Sequence, residues 1–190
     1  MIPSAIELAT SLYGAWRLAK LDRAGIGLFN ATTEGFWRSF FAAVLVAPGY
    51  ILVLILSFSE EPLSASIGRI VVVEALAYVI TWASFPLVMY YLAQNLDRSG
   101  DYLRYIVAFN WAQLLEIALY VPVLVLVKLD IVTGPLATLL QFAVYLAILG
   151  YEWFIAMVGL RLTRLPAAGI VLVALMLNLL ISVFAHGMIR

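Results

Sequence analysis

The sequence predicts an all-α integral membrane bundle: five transmembrane helices preceded by an N-terminal amphipathic helix in the membrane interface. Three observations lead there. The chain is 65% hydrophobic and 12% charged, with a mean hydropathy of +1.07, whereas soluble domains carry about a quarter charged residues. Five apolar stretches each supply the ~20 residues needed to cross a hydrocarbon core of roughly 30 Å. Strand-period alternation is missing, and in lipid a chain without closed strands must satisfy its backbone within helices.

The first element is Ile2–Leu21. Ile2, Ile6, Ala9, Tyr13 and Trp16 recur at steps of four and three, while Ser4, Glu7, Ser11, Arg17 and Lys20 fall largely on the other side. Such a helix lies in the interface with Trp16 down and Arg17 towards headgroups, or packs on the cytosolic ends of the bundle. The two placements are compatible. Its charges and the lack of an uninterrupted apolar core argue against a cleavable signal. Asp22–Glu34 reads as a linker broken by Gly25 and Gly27, with Thr32 or Thr33 as the next N-cap. Residues 1–30 thus form a cytosolic helix and linker, and 31–190 a five-helix membrane domain.

The first span is about 35–58, anchored by Trp37 and Arg38 at its start and kinked at Pro48-Gly49. An acidic loop, Ser59–Ser66, contains Glu60-Glu61-Pro62. The second span, about 67–92, holds Glu74 and Pro86. A polar loop leads to the third, about 102–127, which carries Asn110, Gln113, Glu116 and Tyr120 on one face. The three-residue connection Lys128–Asp130 makes the third and fourth spans antiparallel neighbours. The fourth, about 135–160, shows Gln141, Tyr145 and Glu152 on a shared face, and the fifth, about 167–189, carries Asn178 and His186. Gly35, Gly49, Gly68, Gly150 and Gly159 are expected to permit close helix approach or backbone adjustment, and the Tyr and Trp residues to lie in interfacial belts.

Alternate connections collect the cations unequally. One side holds Arg17, Lys20, Arg23, Arg38, Arg98, Arg104, Arg161 and Arg164, the other only Arg69, Lys128 and Arg190. This positive-inside bias places the N-terminus in the cytosol and the C-terminus outside. Trp37 and Pro48 share their spacing with Trp111 and Pro122, which suggests a parallel repeat of helix pairs.

A net charge of zero gives no footprint for nucleic acid, so the expected partners are the lipid bilayer and other membrane proteins or further copies of the chain. The absence of cysteine excludes disulfides, thiolate metal sites and a cysteine nucleophile, and His186 alone cannot build a histidine metal cluster. No zinc-protease, nucleophile-elbow, phosphate-loop or EF-hand motif occurs. No catalytic residue, metal site or cofactor is therefore expected, and the chain does not read as an enzyme.

What carries chemistry is the set of polar residues inside the spans: Glu116, Glu152, Gln113, Asn110, Gln141, Asn178 and Glu74. Intramembrane carboxylates are expensive and turn towards protein or water. From the rise of a helix, Glu74 lies roughly 9 Å to the outer side of mid-membrane and Glu152 about 6 Å to the cytosolic side, with Glu116 between them. They can form a ladder for protons or cations, or act as hydrogen-bonding glue between helices, with Glu152 free to pair with Arg161.

The segment LDRAGIGLFN…EGFWRSFFAAVLVAP (Leu21–Pro48) resembles the start of small uncharacterised alphaproteobacterial membrane proteins, which implies a bacterial inner membrane and no particular activity. The layout of a cytosolic segment, five helices and an external C-terminus is similar to the Yip1-like family, whose eukaryotic members act through partners in membrane traffic. The first functional expectation is accordingly a scaffold, assembly factor or homo-oligomer working through helix partners. The second is a small proton- or cation-linked transporter or channel using Glu116 and Glu152.

Overall fold

The computed structural model describes residues 2–58 and 65–189. The Glu60-Glu61-Pro62 sequence and Arg190 lie outside the described residues. Among the described residues seven α-helices follow one another: α1 (Ala5–Ala19), α2 (Thr33–Ser39), α3 (Phe41–Phe58), α4 (Ile67–Asn95), α5 (Tyr102–Lys128), α6 (Gly134–Gly159) and α7 (Arg164–Ile189). Two 3-10 segments, Arg23–Leu28 and Ser99–Asp101, lead into α2 and α5. Taking α2 and α3 as one span, five helices are long and apolar enough to cross a membrane.

Local chemistry sets the helix ends. Ser4, Thr32 and Ser66 are N-caps, their hydroxyls accepting from the backbone N–H of Glu7, Gly35 and Arg69. The ends of α1, α4, α5 and α6 share another device. Leu21, Asp97, Asp130 and Arg161 each adopt a positive φ between 52° and 60°. The following N–H then bonds back to the last turn: Asp22 to Arg17 at 3.0 Å, Arg98 to Ala93 at 2.7 Å, Ile131 to Leu126 at 3.0 Å and Leu162 to Met157 at 3.0 Å. These are Schellman closures made without glycine. The left-handed backbone costs roughly 1–2 kcal/mol at each residue, and the satisfied carbonyls offset it.

The first span is interrupted at Phe40, while Pro48, Pro86 and Pro122 each sit inside continuous helix. The Ser39 hydroxyl donates to the Phe36 carbonyl at 2.7 Å and accepts from Asn110 Nδ2 at 2.9 Å. A serine back-bonded to its own preceding turn competes with the helix ladder, and just beyond it Ala43 N–H bonds Phe40, three residues back.

α5 is the central helix. It packs against α3 and α6; α6 continues to α7, and α7 to α4. The circuit closes from α4 to α3 where the Tyr78 hydroxyl donates to the Ala43 carbonyl at 2.6 Å. Packing is densest at the end where α1 and α2 sit. There every residue from Tyr105 to Ala112 is buried, whereas the rest of α5 buries only Glu116 and Leu124. α6 follows the same gradient: its first half buries Ala137 and Val144, its last turns Tyr151, Glu152, Phe154–Ala156 and Gly159. Gly159 permits the tight packing, since a Cβ there would lie 3.2 Å from Tyr105 Cα. Gly49 does the same between α3 and α5, whereas Gly68 and Gly150 face open space and support no close approach.

Several tyrosines and tryptophans are core rather than belt residues. Trp111 and Tyr105 are almost fully buried, and Tyr151 donates to the Ala15 carbonyl at 2.9 Å. Trp37, by contrast, is exposed. The two tryptophans that suggested a repeat therefore occupy unlike environments.

α1 has two apolar faces. Ser11, Gly14, Ala15 and Leu18 dock on the bundle, against α5, α6 and the first 3-10 segment. The stripe Ile2, Ile6, Ala9, Tyr13 and Trp16 is exposed. Docking is reinforced by Glu7, which accepts from Arg38 at 2.9 Å and from Asn30 at 3.3 Å, while Arg38 also pairs with Glu34.

Candidate functional site

The three glutamates within the long apolar helices come from α4, α5 and α6, and all three side chains are buried. Glu116 projects from α5 at the level where close packing ends. Its Oε1 is buried without a hydrogen-bond partner, and so is Oε1 of Glu74. The other Glu74 oxygen, Oε2, accepts from the Tyr50 hydroxyl at 2.9 Å. Arg161 lies 3.6 Å from Asp101, which also holds Arg104 at 2.7 Å, so the expected Glu152–Arg161 pair gives way to an Asp101-centred cluster.

Two cavities meet at Glu116. The larger, about 450 Å³, lies between α3, α4, α5 and α7; Glu74, Tyr50, Gln113, Tyr120 and His186 are on its wall. The second, about 290 Å³, runs towards the α1 end and includes Asn110, Tyr145 and Glu152. Thr81, Trp82, Gln113, Glu116, Ile148 and Asn178 belong to both. The three glutamates thus line two adjoining, largely apolar cavities inside the ring of helices: Glu74 the first, Glu152 the second and Glu116 both. Phe85 and Phe109 line the second cavity. Their rings lie 4.3 Å apart and tilted by 32°, with Tyr105 edge-on to Phe85 and tilted against Phe109.

The predicted polar residues divide into three groups. Glu74, Gln113, Glu116, Glu152 and Asn178 line these cavities. Asn110 also reaches the second, but its amide is committed to Ser39, which makes it the link between α5 and α2. Gln141 does not join them. It is exposed on the loosely packed half of α6, although it shares a helical face with Tyr145 and Glu152. At that level α6 buries only Ala137 and Val144. Sequence reasoning missed Tyr50, the hydrogen-bond partner of Glu74. Its only signal was a phenol beside Gly49 in an otherwise aliphatic run.

The interfacial residues take expected surface positions with unforeseen partners. Trp16 and Trp37 are exposed. Lys20 Nζ sits 4.7 Å over the Trp16 ring. Arg17 pairs with Asp22, and Arg38 with Glu7 and Glu34. Asp22 lies outside the spans; the Ala24 N–H, then Arg17, holds its carboxyl below the ordinary value of 3.8.

Comparison with known proteins found no matching family, no similar curated protein and no similar solved structure.

Proposed function

We propose that the chain is a polytopic membrane protein whose glutamate-bordered cleft carries protons or small monovalent cations. One observation supports this most strongly: a buried carboxylate oxygen of Glu116, without a partner, at the junction of two cavities that also hold Glu74 and Glu152. A carboxylate used only as glue between helices would have its oxygens satisfied by the neighbouring helix. A buried carboxylate oxygen without a partner on the neighbouring helix is one that a proton, a water or a cation would satisfy.

The orientation belongs to this proposal. Eight Lys and Arg residues fall at the α1 end or in its connections, which favours a cytosolic N-terminus, an external C-terminus and an inner-membrane location. The cleft then faces the outside with its wider cavity.

The test is flux. In liposomes with a pH-sensitive dye inside, an imposed potential drives proton or cation entry through wild type, and Glu116→Gln abolishes it while insertion and folding are retained. Absence of flux from folded wild-type protein overturns the reading.

A second reading is favoured by Gln141. An exposed amide among exposed Leu139, Phe142 and Leu146 is a hydrogen-bonding group on an apolar surface, where another helix, from a membrane partner or a second copy, would satisfy it. Strict monomers in mild detergent that capture no membrane protein would remove this scaffold reading.

A further inference from the structure

Glu116 borders a third cavity as well. Outside the ring, a groove of about 350 Å³ runs between α5 and α6 and ends under the last turn of α1. Its walls include Leu119, Ala147 and Tyr151, with Trp16 of α1 over one end and Glu116 on its inner side. Trp16 and Leu119 are exposed, so the groove opens at the surface. The Tyr151 hydroxyl is already committed to the Ala15 carbonyl, which leaves its ring as an apolar wall. Glu116 is the one ionisable acid among the lining residues, and no Lys or Arg lines it.

We propose that this groove is a lateral portal for a lipophilic cation: an apolar body bearing one positive charge, taken from the membrane interface and held with its charge at Glu116. The inference rests on the transport reading above and names a substrate class for the same carboxylate. Three features argue for that chemistry over a neutral one. The walls match an apolar body in both size and character. Glu116, the one acid among the lining residues, supplies the complementary charge. At the mouth, the Trp16 ring already carries the Lys20 ammonium on its face, which demonstrates a cation-accepting surface in that position. A ligand arriving along the interface would exchange with Lys20 at the ring before reaching Glu116.

The experiment is equilibrium binding of tetraphenylphosphonium to the full-length protein in non-ionic detergent. Wild type is expected to bind saturably. Glu116→Gln should weaken binding at least tenfold. Trp16→Ala, on an exposed face where it leaves the fold intact, should weaken it about threefold or more. Asn178→Ala, which alters the two inner cavities and not the groove, should leave binding within twofold of wild type. Competition by neutral triphenylphosphine oxide as strong as that by the cation would identify an apolar tail site and overturn the proposal. So would binding that is lost in Asn178→Ala but indifferent to Trp16→Ala. Proton flux that depends on Glu116 in a protein that binds no tetraphenylphosphonium overturns this inference and leaves the proton path standing. Saturable binding lost in Glu116→Gln, without any flux, supports the site and removes the path.

Discussion

Gly49 is where α3 and α5 come closest beside the cleft, and an alanine there makes a sharp test of the packing. A Cβ on Gly49 would lie 2.6 Å from Ile117 Cγ1, against the 3.4 Å at which ordinary contact begins. Either the helices separate by about 0.8 Å or Ile117 moves; overpacking of this kind costs about 1–3 kcal/mol. Ile117 lines the larger cavity, so its side chain has space on that side. The cost is therefore expected at the lower end, and the displaced Ile117 should narrow the cleft next to Glu116. Alanine also favours helix over glycine by up to about 1 kcal/mol. That gain is common to any background, so a double-mutant cycle cancels it. In wild type Gly49→Ala should destabilise relative to its effect in Ile117→Ala, with a coupling energy of about 1–3 kcal/mol read from unfolding in mixed micelles. The same single variant should lower flux, and Ile117→Ala should restore it. A coupling within about 0.5 kcal/mol of zero, the additivity of independent sites, would refute the close approach.

Two further predictions concern polar contacts. Tyr50→Phe removes the hydroxyl that donates to Glu74 at 2.9 Å and leaves both carboxylate oxygens without a partner; unfolding should show a loss of about 0.6–1.7 kcal/mol, the range for hydrogen bonds between membrane helices, and an unchanged stability would mean that water replaces the phenol. The lowered Asp22 carboxyl contributes stability that is fully present above its ordinary value of 3.8 and is lost as the pH falls through its folded value. The protection of amides in Arg23–Leu28 and at the end of α1, taken relative to intrinsic exchange at each pH, should therefore fall on acidification below about pH 4, and Asp22→Asn should show the lower protection already at neutral pH; a pH-independent protection would contradict the Arg17–Asp22 latch.

Much of this architecture is legible because length and hydropathy alone mark out each of the five long apolar helices. The expected spans at 67–92 and 102–127 are observed as Ile67–Asn95 and Tyr102–Lys128. Helix ends are harder to read where Leu21, Asp97, Asp130 and Arg161 take the left-handed conformation usually signalled by glycine. Rotation about each helix axis is the other obscure quantity. In a span that is apolar all round, leucine towards lipid and leucine towards protein look alike, and only polar residues carry a directional signal. That signal succeeded for Glu74, Glu116 and Glu152. It failed for Gln141, which shares a helical face with Glu152 yet is exposed on the half of α6 that buries only Ala137 and Val144. The interruption at Phe40 has no proline or glycine to signal it; beside it the Ser39 hydroxyl bonds back to Phe36 and accepts from Asn110. A contact across 71 positions has no local trace in the sequence.

The account stands on Glu116 occupying a wet junction rather than sealed helix packing. The chain contains no cysteine, so one introduced thiol can be read without background. Glu116→Cys and, as a buried reference, Val107→Cys, whose native side chain is 1% exposed, should be treated in mild detergent with a small water-soluble thiol reagent. The cysteine at position 116 is predicted to react at least tenfold faster than that at 107 while the protein is folded, and the two should converge once it is unfolded in dodecyl sulfate. Equal, slow reaction at both positions in the folded protein would contradict the cleft and return Glu116 to the interior of a closed bundle.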